Sequence, residues 1–297
     1  MDAASSFRTA GIIGWPVGHS RSPLLHGHWL GRHGIAGAYV PLAVRPGQVA
    51  TALRGLAALG LAGCNVTVPH KEAALATVDH PDALARRIGA VNLVVVQPDG
   101  SLAGSNTDAY GFMANLAGCC PHWRATVGPA VVLGAGGSAR AVVTSLLDAG
   151  APEVRLLNRT RARAEELAGA LDARLVVLDW AAAPTALADA TLLANTTSLG
   201  MQGQPPLDID LTPLPVQAVV TDLVYVPLET PLLAAARARG NPVADGLGML
   251  LHQAVPSFEA WFGVRPAVTA ELHALVAASL GGPVSAAPVR ALTSGMR

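Results

Sequence analysis

Residues 131–139 read Val131-Val132-Leu133-Gly134-Ala135-Gly136-Gly137-Ser138-Ala139, a GxGxxA run that follows an apolar strand and opens a helix reaching almost to Gly150. In a strand–turn–helix setting each small residue has its own reason. Gly134 permits the tight turn and Gly136 lets a pyrophosphate approach the backbone. Ala139 keeps helix and strand close, while the helix N-terminus offers unpaired N–H groups to the anion. The same glycines could simply pack a helix on a sheet, but the βαβ setting favours dinucleotide binding. Further strands are expected at Val154–Leu157, Leu175–Leu178, Leu192–Ala194 and Val219–Leu223, with a helix over Arg161–Leu171. That series describes a doubly wound unit.

Upstream, short apolar runs at Gly11–Gly14, Ala38–Val44, Gly63–Val68 and Val91–Gln97 alternate with helical stretches Pro23–Arg32 and Gln48–Leu59. Such alternation predicts an α/β chain with a largely parallel sheet. Pro98-Asp99-Gly100 reads as a turn. After Asp245 the chain turns helical over Leu247–Trp261, too far from the strand pattern to be another crossover, and Pro256 predicts a kink or break there. The expected architecture is therefore two domains. An N-terminal α/β substrate domain, 1–111, is completed by helices from 246–282 packing back on it; a Rossmann dinucleotide-binding domain covers 112–245; and 283–297 is a frayed tail.

Composition narrows the ligand. Of 297 residues, 51% are hydrophobic and 13% charged, enough apolar content for two cores. Gly, Pro or a charge interrupts every apolar stretch before the ~20 residues of a membrane span, and the first residues lack the pattern of a secretory signal. Three cysteines, Cys64, Cys119 and Cys120, form neither an even disulfide set nor a CxxC metal pattern. Twenty acidic residues balance twenty basic ones, unlike a nucleic-acid binder. The expectation is a cytoplasmic protein acting on a small molecule, with no membrane or nucleic-acid partner and a homodimer left open.

The choice of dinucleotide falls at the end of the strand after the glycine loop, where NAD-binding chains place an acid on the ribose hydroxyls. Here the sequence is Asn158-Arg159-Thr160-Arg161-Ala162-Arg163, with no acid. A helix starting near Thr160 sets Arg159 and Arg163 on one side, where their guanidinium groups can fork onto a 2′-phosphate. Arg161 should point elsewhere. A solvated charge run is the plain alternative, but positive charge at a helix N-terminus opposes the dipole and calls for an anion. NADP is favoured.

Four polar clusters sit at strand ends or helix starts, where α/β sites gather ligands: Ser20-Arg21-Ser22-Pro23, Asn65 to Lys71, Ala90-Val91-Asn92, and Gly104 to Asp108. Their hydroxyls, amides, ammonium and carboxylate suit a polyhydroxylated acid better than an apolar ligand. Each also has a plain reading. Ser20 or Ser22 could cap the helix at Pro23, Asn65 and Thr67 could face solvent on a strand, Asp108 could cap a helix, and Lys71 could lie on the surface. His19, His26, His28 and His33 crowd one stretch, but their spacing does not put ligands on one helix face, and no metal is expected.

Taken in order, the segments SxSP, NVTxPxK, GAVN, NTD, GAGGSAR, NRT and ADGLGMLLxQA resemble the shikimate dehydrogenase family across roughly Gly11 to Phe262. The resemblance implies that Ser20, Ser22, Asn65, Thr67, Asn92, Asp108, Tyr225 and Gln253 surround the substrate, shikimate or 3-dehydroshikimate, with Lys71 and Asp108 catalytic. It implies that Gly134, Ala135, Gly136, Gly137, Ser138, Asn158, Arg159, Thr160, Arg163, Leu223, Gly246 and Met249 contact the cofactor, although Leu223 and Met249 could equally be core. The implied reaction is NADPH-dependent reduction of a ring ketone, Lys71 supplying the proton to the developing alkoxide and Asp108 orienting it. Movement between domains is expected at the crossings Asp108–Gly111 and Asp245–Gly248, both containing glycine.

Two rivals remain at this level. One keeps the fold and acts on quinate or with NAD; relatives favouring quinate often read SxTP where this chain has Ser22. The other is a non-catalytic NADP(H)-sensing protein, which would have no use for Lys71 and Asp108.

Overall fold

The computed structural model describes residues 7–281, so the expected frayed tail, 283–297, lies outside the described residues. In chain order the first elements are β1 (Arg8–Gly14), α1 (Ser22–Arg32), β2 (Gly37–Ala43), α2 (Val49–Ala58), β3 (Leu61–Val66), α3 (Lys71–Leu75), β4 (His80–Pro81), α4 (Ala83–Ile88), β5 (Leu93–Val96), β6 (Leu102–Ser105) and α5 (Asp108–Cys119). They form a sheet of order β2-β1-β3-β5-β6-β4. Strands β2 and β3 flank β1 in parallel, whereas β5 runs antiparallel to both β3 and β6. The turn expected at Pro98–Gly100 is the hairpin between β5 and β6, so the first sheet is largely parallel as expected, with β5 running against the other strands. Strand β6 escaped the pattern because Leu102-Ala103-Gly104-Ser105 has no β-branched or aromatic side chain.

The second series is β7 (Ala130–Leu133), α6 (Gly137–Asp148), β8 (Val154–Leu157), α7 (Arg161–Gly169), β9 (Leu175–Leu178), α8 (Ala183–Leu187), β10 (Leu192–Asn195), β11 (Val219–Asp222), α9 (Pro231–Arg239) and β12 (Val243–Ala244). Its strands are parallel in the order β12-β11-β10-β7-β8-β9, which places the topological switch between β7 and β10. Both faces are covered: α5, α6 and α7 contribute to one core, and α8, α9 and Leu207–Leu214 to the other.

The chain ends in α10 (Gly246–Phe262) and α11 (Ala270–Ala278). Leu247, Leu251, Phe258 and Trp261 of α10 share a core with Ala10 and Ile12 of β1, Leu25 and Trp29 of α1 and Leu272 of α11. The helix runs through Pro256 without the break the sequence suggested. Helices α5 and α10 cross in close contact. A Cβ on Gly248 would stand 1.9 Å from Asn115 Oδ1, and one on Gly111 would stand 2.6 Å from Gln253 Cβ. The glycines expected to loosen the two crossings thus serve close packing. Among the described residues no helix is long and apolar enough to cross a membrane.

Candidate active site

One cleft opens between the carboxyl ends of β1 and β3 and the start of α6. Its walls carry Ser20, Ser22, Asn65, Thr67, Lys71, Asn92, Asp108, Tyr225 and Gln253, every residue expected at the substrate, together with Ser138, Leu223, Gly246 and Met249 from the cofactor set. An adjoining cavity, lined in part by Ser138, Thr196, Thr197, Leu223 and Tyr225, continues toward the second sheet.

Lys71 begins α3, and its Nζ donates to Asp108 Oδ2 at 2.5 Å. The lysine side chain is 18% exposed and that of the aspartate 8%, so the pair is neither a surface lysine nor a helix cap. Thr107 occupies the cap position of α5, and its side chain does not bond the helix's own first N–H groups. The other carboxylate oxygen accepts from Asn92 Nδ2 at 2.7 Å. Asn92 is itself pinned, its Oδ1 accepting from Thr107 N at 2.8 Å and Thr107 Oγ1 at 3.2 Å. Nearby, Asn106 Oδ1 accepts from the Asp108 backbone N–H. Every member of this network has a partner, as a buried polar cluster requires.

Asn65 is buried rather than facing solvent, and Thr67 lies one residue past the end of β3. Neither Ser20 nor Ser22 caps α1: Arg21 holds that position, and Ser20 Oγ accepts the Ser22 N–H at 3.2 Å. Gln253 Nε2 donates to Leu250 O, leaving its Oε1 beside Thr107 Oγ1 at 3.3 Å. Burial pushes the Tyr225 phenol up, against a smaller opposing pull from Arg21.

At the glycine loop Gly134 has φ +104°, and a Cβ there would stand 2.8 Å from Thr196 Oγ1. The loop is therefore pressed against the end of β10 at the switch point. Gly136 and Gly137 face open space, and α6 starts with no side-chain cap, so its first N–H groups are free to meet an anion. Asn158, Arg159, Thr160 and Arg163 lie at the end of β8 and the start of α7. Arg161 is held by Glu165 at 2.7 Å and Asp179 at 2.8 Å. Arg159 and Arg163 are exposed and form no ion pair among the described residues. An uncapped helix start, an open glycine loop and two uncommitted guanidinium groups fit a dinucleotide with an extra phosphate.

The crowded histidines do not assemble. His26 is fully buried in an aromatic cluster, stacked 4.0 Å from Tyr39, and burial lowers its pKa to about 3. No group of three metal-ligating side chains occurs among the described residues. Tyr39 and Ser257 went unnoticed in the sequence, yet both bond the Asn65 side chain. Ser257 could have been found, since it lies four residues after Gln253 on one helix face.

A doubly wound sheet whose phosphate loop opens onto a polar cleft with a lysine–carboxylate pair defines a nicotinamide-dinucleotide oxidoreductase of the two-sheet α/β type. Comparison with known proteins narrows the class. Residues 12–94 match the shikimate dehydrogenase substrate binding domain, residues 124–200 the shikimate / quinate 5-dehydrogenase domain, and residues 246–270 the shikimate 5'-dehydrogenase C-terminal domain. The chain is 62% identical over 269 residues to the shikimate dehydrogenase (NADP(+)) of Paramagnetospirillum magneticum, covering 91% of this chain and 98% of that one. Among solved structures it resembles shikimate 5-dehydrogenase of Thermus thermophilus in complex with NADP(H) and shikimate, at 35% identity and TM-score 0.81 over 93% of this chain and 99% of that one. It also resembles quinate dehydrogenase of Corynebacterium glutamicum in complex with NAD, at 32% identity and TM-score 0.84 over 91% and 98%. The chain belongs to the shikimate dehydrogenase family.

Proposed function

We propose that this protein interconverts 3-dehydroshikimate and shikimate with NADP(H), in the cytoplasm, as a step of aromatic amino-acid biosynthesis. The observation that carries the reading is the Lys71–Asp108 pair, buried in a polar cleft that adjoins the glycine loop. Residues 1–111 with 246–282 would form the substrate domain and 112–245 the NADP-binding domain. Gly134 to Ser138 would hold the pyrophosphate, Asn158, Arg159, Thr160 and Arg163 the adenosine end with its phosphate, and Leu223, Gly246 and Met249 the nicotinamide end.

When bound, NADPH supplies a hydride to the ring carbonyl carbon. Lys71 then has two tasks at the carbonyl oxygen: its positive charge favours the developing alkoxide, and its proton completes the alcohol. Asp108 fixes the ammonium on one side, and Asn92 in turn fixes Asp108. Ser20, Ser22, Asn65, Thr67, Tyr225 and Gln253 supply the hydroxyl and amide groups that a hydroxylated ring acid needs for orientation. The balanced net charge, twenty acids against twenty bases, supports a small-molecule partner and no nucleic acid.

The test is absorbance of the reduced nicotinamide when purified protein meets shikimate or quinate, each with NADP or NAD. Rapid reduction with shikimate and NADP alone is the expected result. Comparable rates with quinate or NAD would move the assignment to the quinate-type alternative, and silence in all four would favour a non-catalytic NADP(H)-sensing role. Lys71→Ala should lower turnover by about a thousandfold with little change in NADP affinity.

A further inference from the structure

Asn65 borders the cleft, yet most of its hydrogen-bonding capacity is spent inside the protein. Its Nδ2 donates one proton to Asn92 O at 3.0 Å and the other to Ser257 Oγ at 2.9 Å. Its Oδ1 accepts from the Tyr39 hydroxyl at 2.7 Å. A side-chain amide has two N–H protons and two oxygen lone pairs, so one lone pair on Oδ1 is all that remains for a ligand.

Asn92 O and Tyr39 make that assignment together, and among the described residues Tyr39 alone holds the Oδ1 end. Ser257 Oγ can donate or accept and would tolerate either end of the amide, whereas Asn92 O requires an N–H. The Tyr39 phenol adds the matching demand from the opposite side, because its proton needs an acceptor. Burial pushes the phenol well above its ordinary range, so it stays a donor, and the Ser22 hydroxyl faces the same phenol oxygen. The Tyr39 ring is held by His26, stacked at 4.0 Å and 9°, and by Trp261 at 5.9 Å.

We propose that Tyr39 is a positioning residue for substrate recognition: its buried hydroxyl locks the Asn65 amide so that only an oxygen acceptor faces the cleft, selecting a ligand hydroxyl there. The inference rests on the proposed reading that the cleft binds a polyhydroxylated ring acid. Without the Tyr39 proton the amide keeps its tie to Asn92 but loses the partner that holds Oδ1, and the acceptor is no longer presented in one direction.

The experiment is steady-state kinetics of Tyr39→Phe, which deletes one oxygen and keeps the stacked ring. KM for shikimate should rise roughly tenfold while kcat stays within about twofold, and KM for NADP should not change. Because Tyr39 acts through Asn65, adding Tyr39→Phe to an Asn65→Ala protein should raise KM by less than about twofold further. An unchanged shikimate KM in Tyr39→Phe overturns the proposal, as does a full tenfold rise repeated in the Asn65→Ala background. So does a loss confined to kcat and melting temperature, which is what a merely structural role would produce. Wild-type protein that turns over shikimate upholds the underlying reading whatever Tyr39→Phe does; wild type inert toward shikimate removes that reading and this inference together.

Discussion

Asp108→Asn keeps the size and shape of the side chain, so its effect is read from hydrogen bonds rather than packing. The carboxylate accepts from Lys71 Nζ at 2.5 Å with one oxygen and from Asn92 Nδ2 at 2.7 Å with the other. An amide has one oxygen, so one of these donors must face an NH2 group. Asn92 cannot turn to accommodate it, because its own Oδ1 is taken by Thr107 N and Thr107 Oγ1. If the new oxygen turns to Lys71, two NH2 groups meet at Asn92; if it turns to Asn92, the ammonium meets a donor. Either way one charge-assisted bond is lost, about 1.5–3 kcal/mol, and a half-buried ammonium loses its counter-charge. A total near 3 kcal/mol, expressed where Lys71 must be oriented, lowers kcat/KM for shikimate roughly 100-fold. Initial rates at saturating NADP measure it, with thermal melting as the control for folding. A kcat/KM within a factor of about three of wild type, or a loss appearing only in KM for NADP, would refute the assigned role of the pair.

Other expectations are equally direct. Arg159→Ala and Arg163→Ala should each raise KM for NADP by roughly tenfold and leave KM for NAD nearly unchanged, since only the extra phosphate is lost; equal effects on both cofactors would contradict the placement. Gly248→Ala should destabilise the protein by about 2 kcal/mol or more, because its Cβ would stand 1.9 Å from Asn115 Oδ1, and urea midpoints would show it. His26, neutral in the fold with a pKa of about 3, takes up a proton near its ordinary value only when unfolded. The unfolded state therefore binds more protons between about pH 6.5 and 3, and stability falls with acid through that window, approaching about 1.4 kcal/mol per pH unit. His26→Phe should flatten the urea midpoint between pH 7 and 5; an unchanged slope would exclude His26 as its source.

Much of this was legible from residues alone because the motifs depend on local backbone chemistry. A glycine loop between an apolar strand and a helix has few alternatives, and Asn65, Lys71, Asn92 and Asp108 sit at strand ends or helix starts that the pattern marks. What stayed hidden depended on weak strand signals or on contacts distant in sequence. The antiparallel course of β5 is set by a hairpin into β6, whose Ala-Gly-rich sequence carries no strand signal. Pro256 read as an interruption because sequence weighs the missing N–H but not the core that Val255, Phe258 and Trp261 join. Tyr39 drew no notice in the sequence, because only the fold brings its hydroxyl to Asn65, 26 residues away.

The core under β1 is assembled from both ends of the chain: Ala10, Ile12, Leu25 and Trp29 are covered by Leu251, Phe258 and Trp261. A nascent chain emerging from the ribosome exposes that face of its first sheet throughout the synthesis of the second. The second sheet has its own strands, and its cover from α5 to α9 is made before α10, which adds Met249 to that core, so it can largely close while translation continues. The half of the protein made first is therefore the half finished last, and the interval before α10 appears is when its apolar surface most needs protection from aggregation.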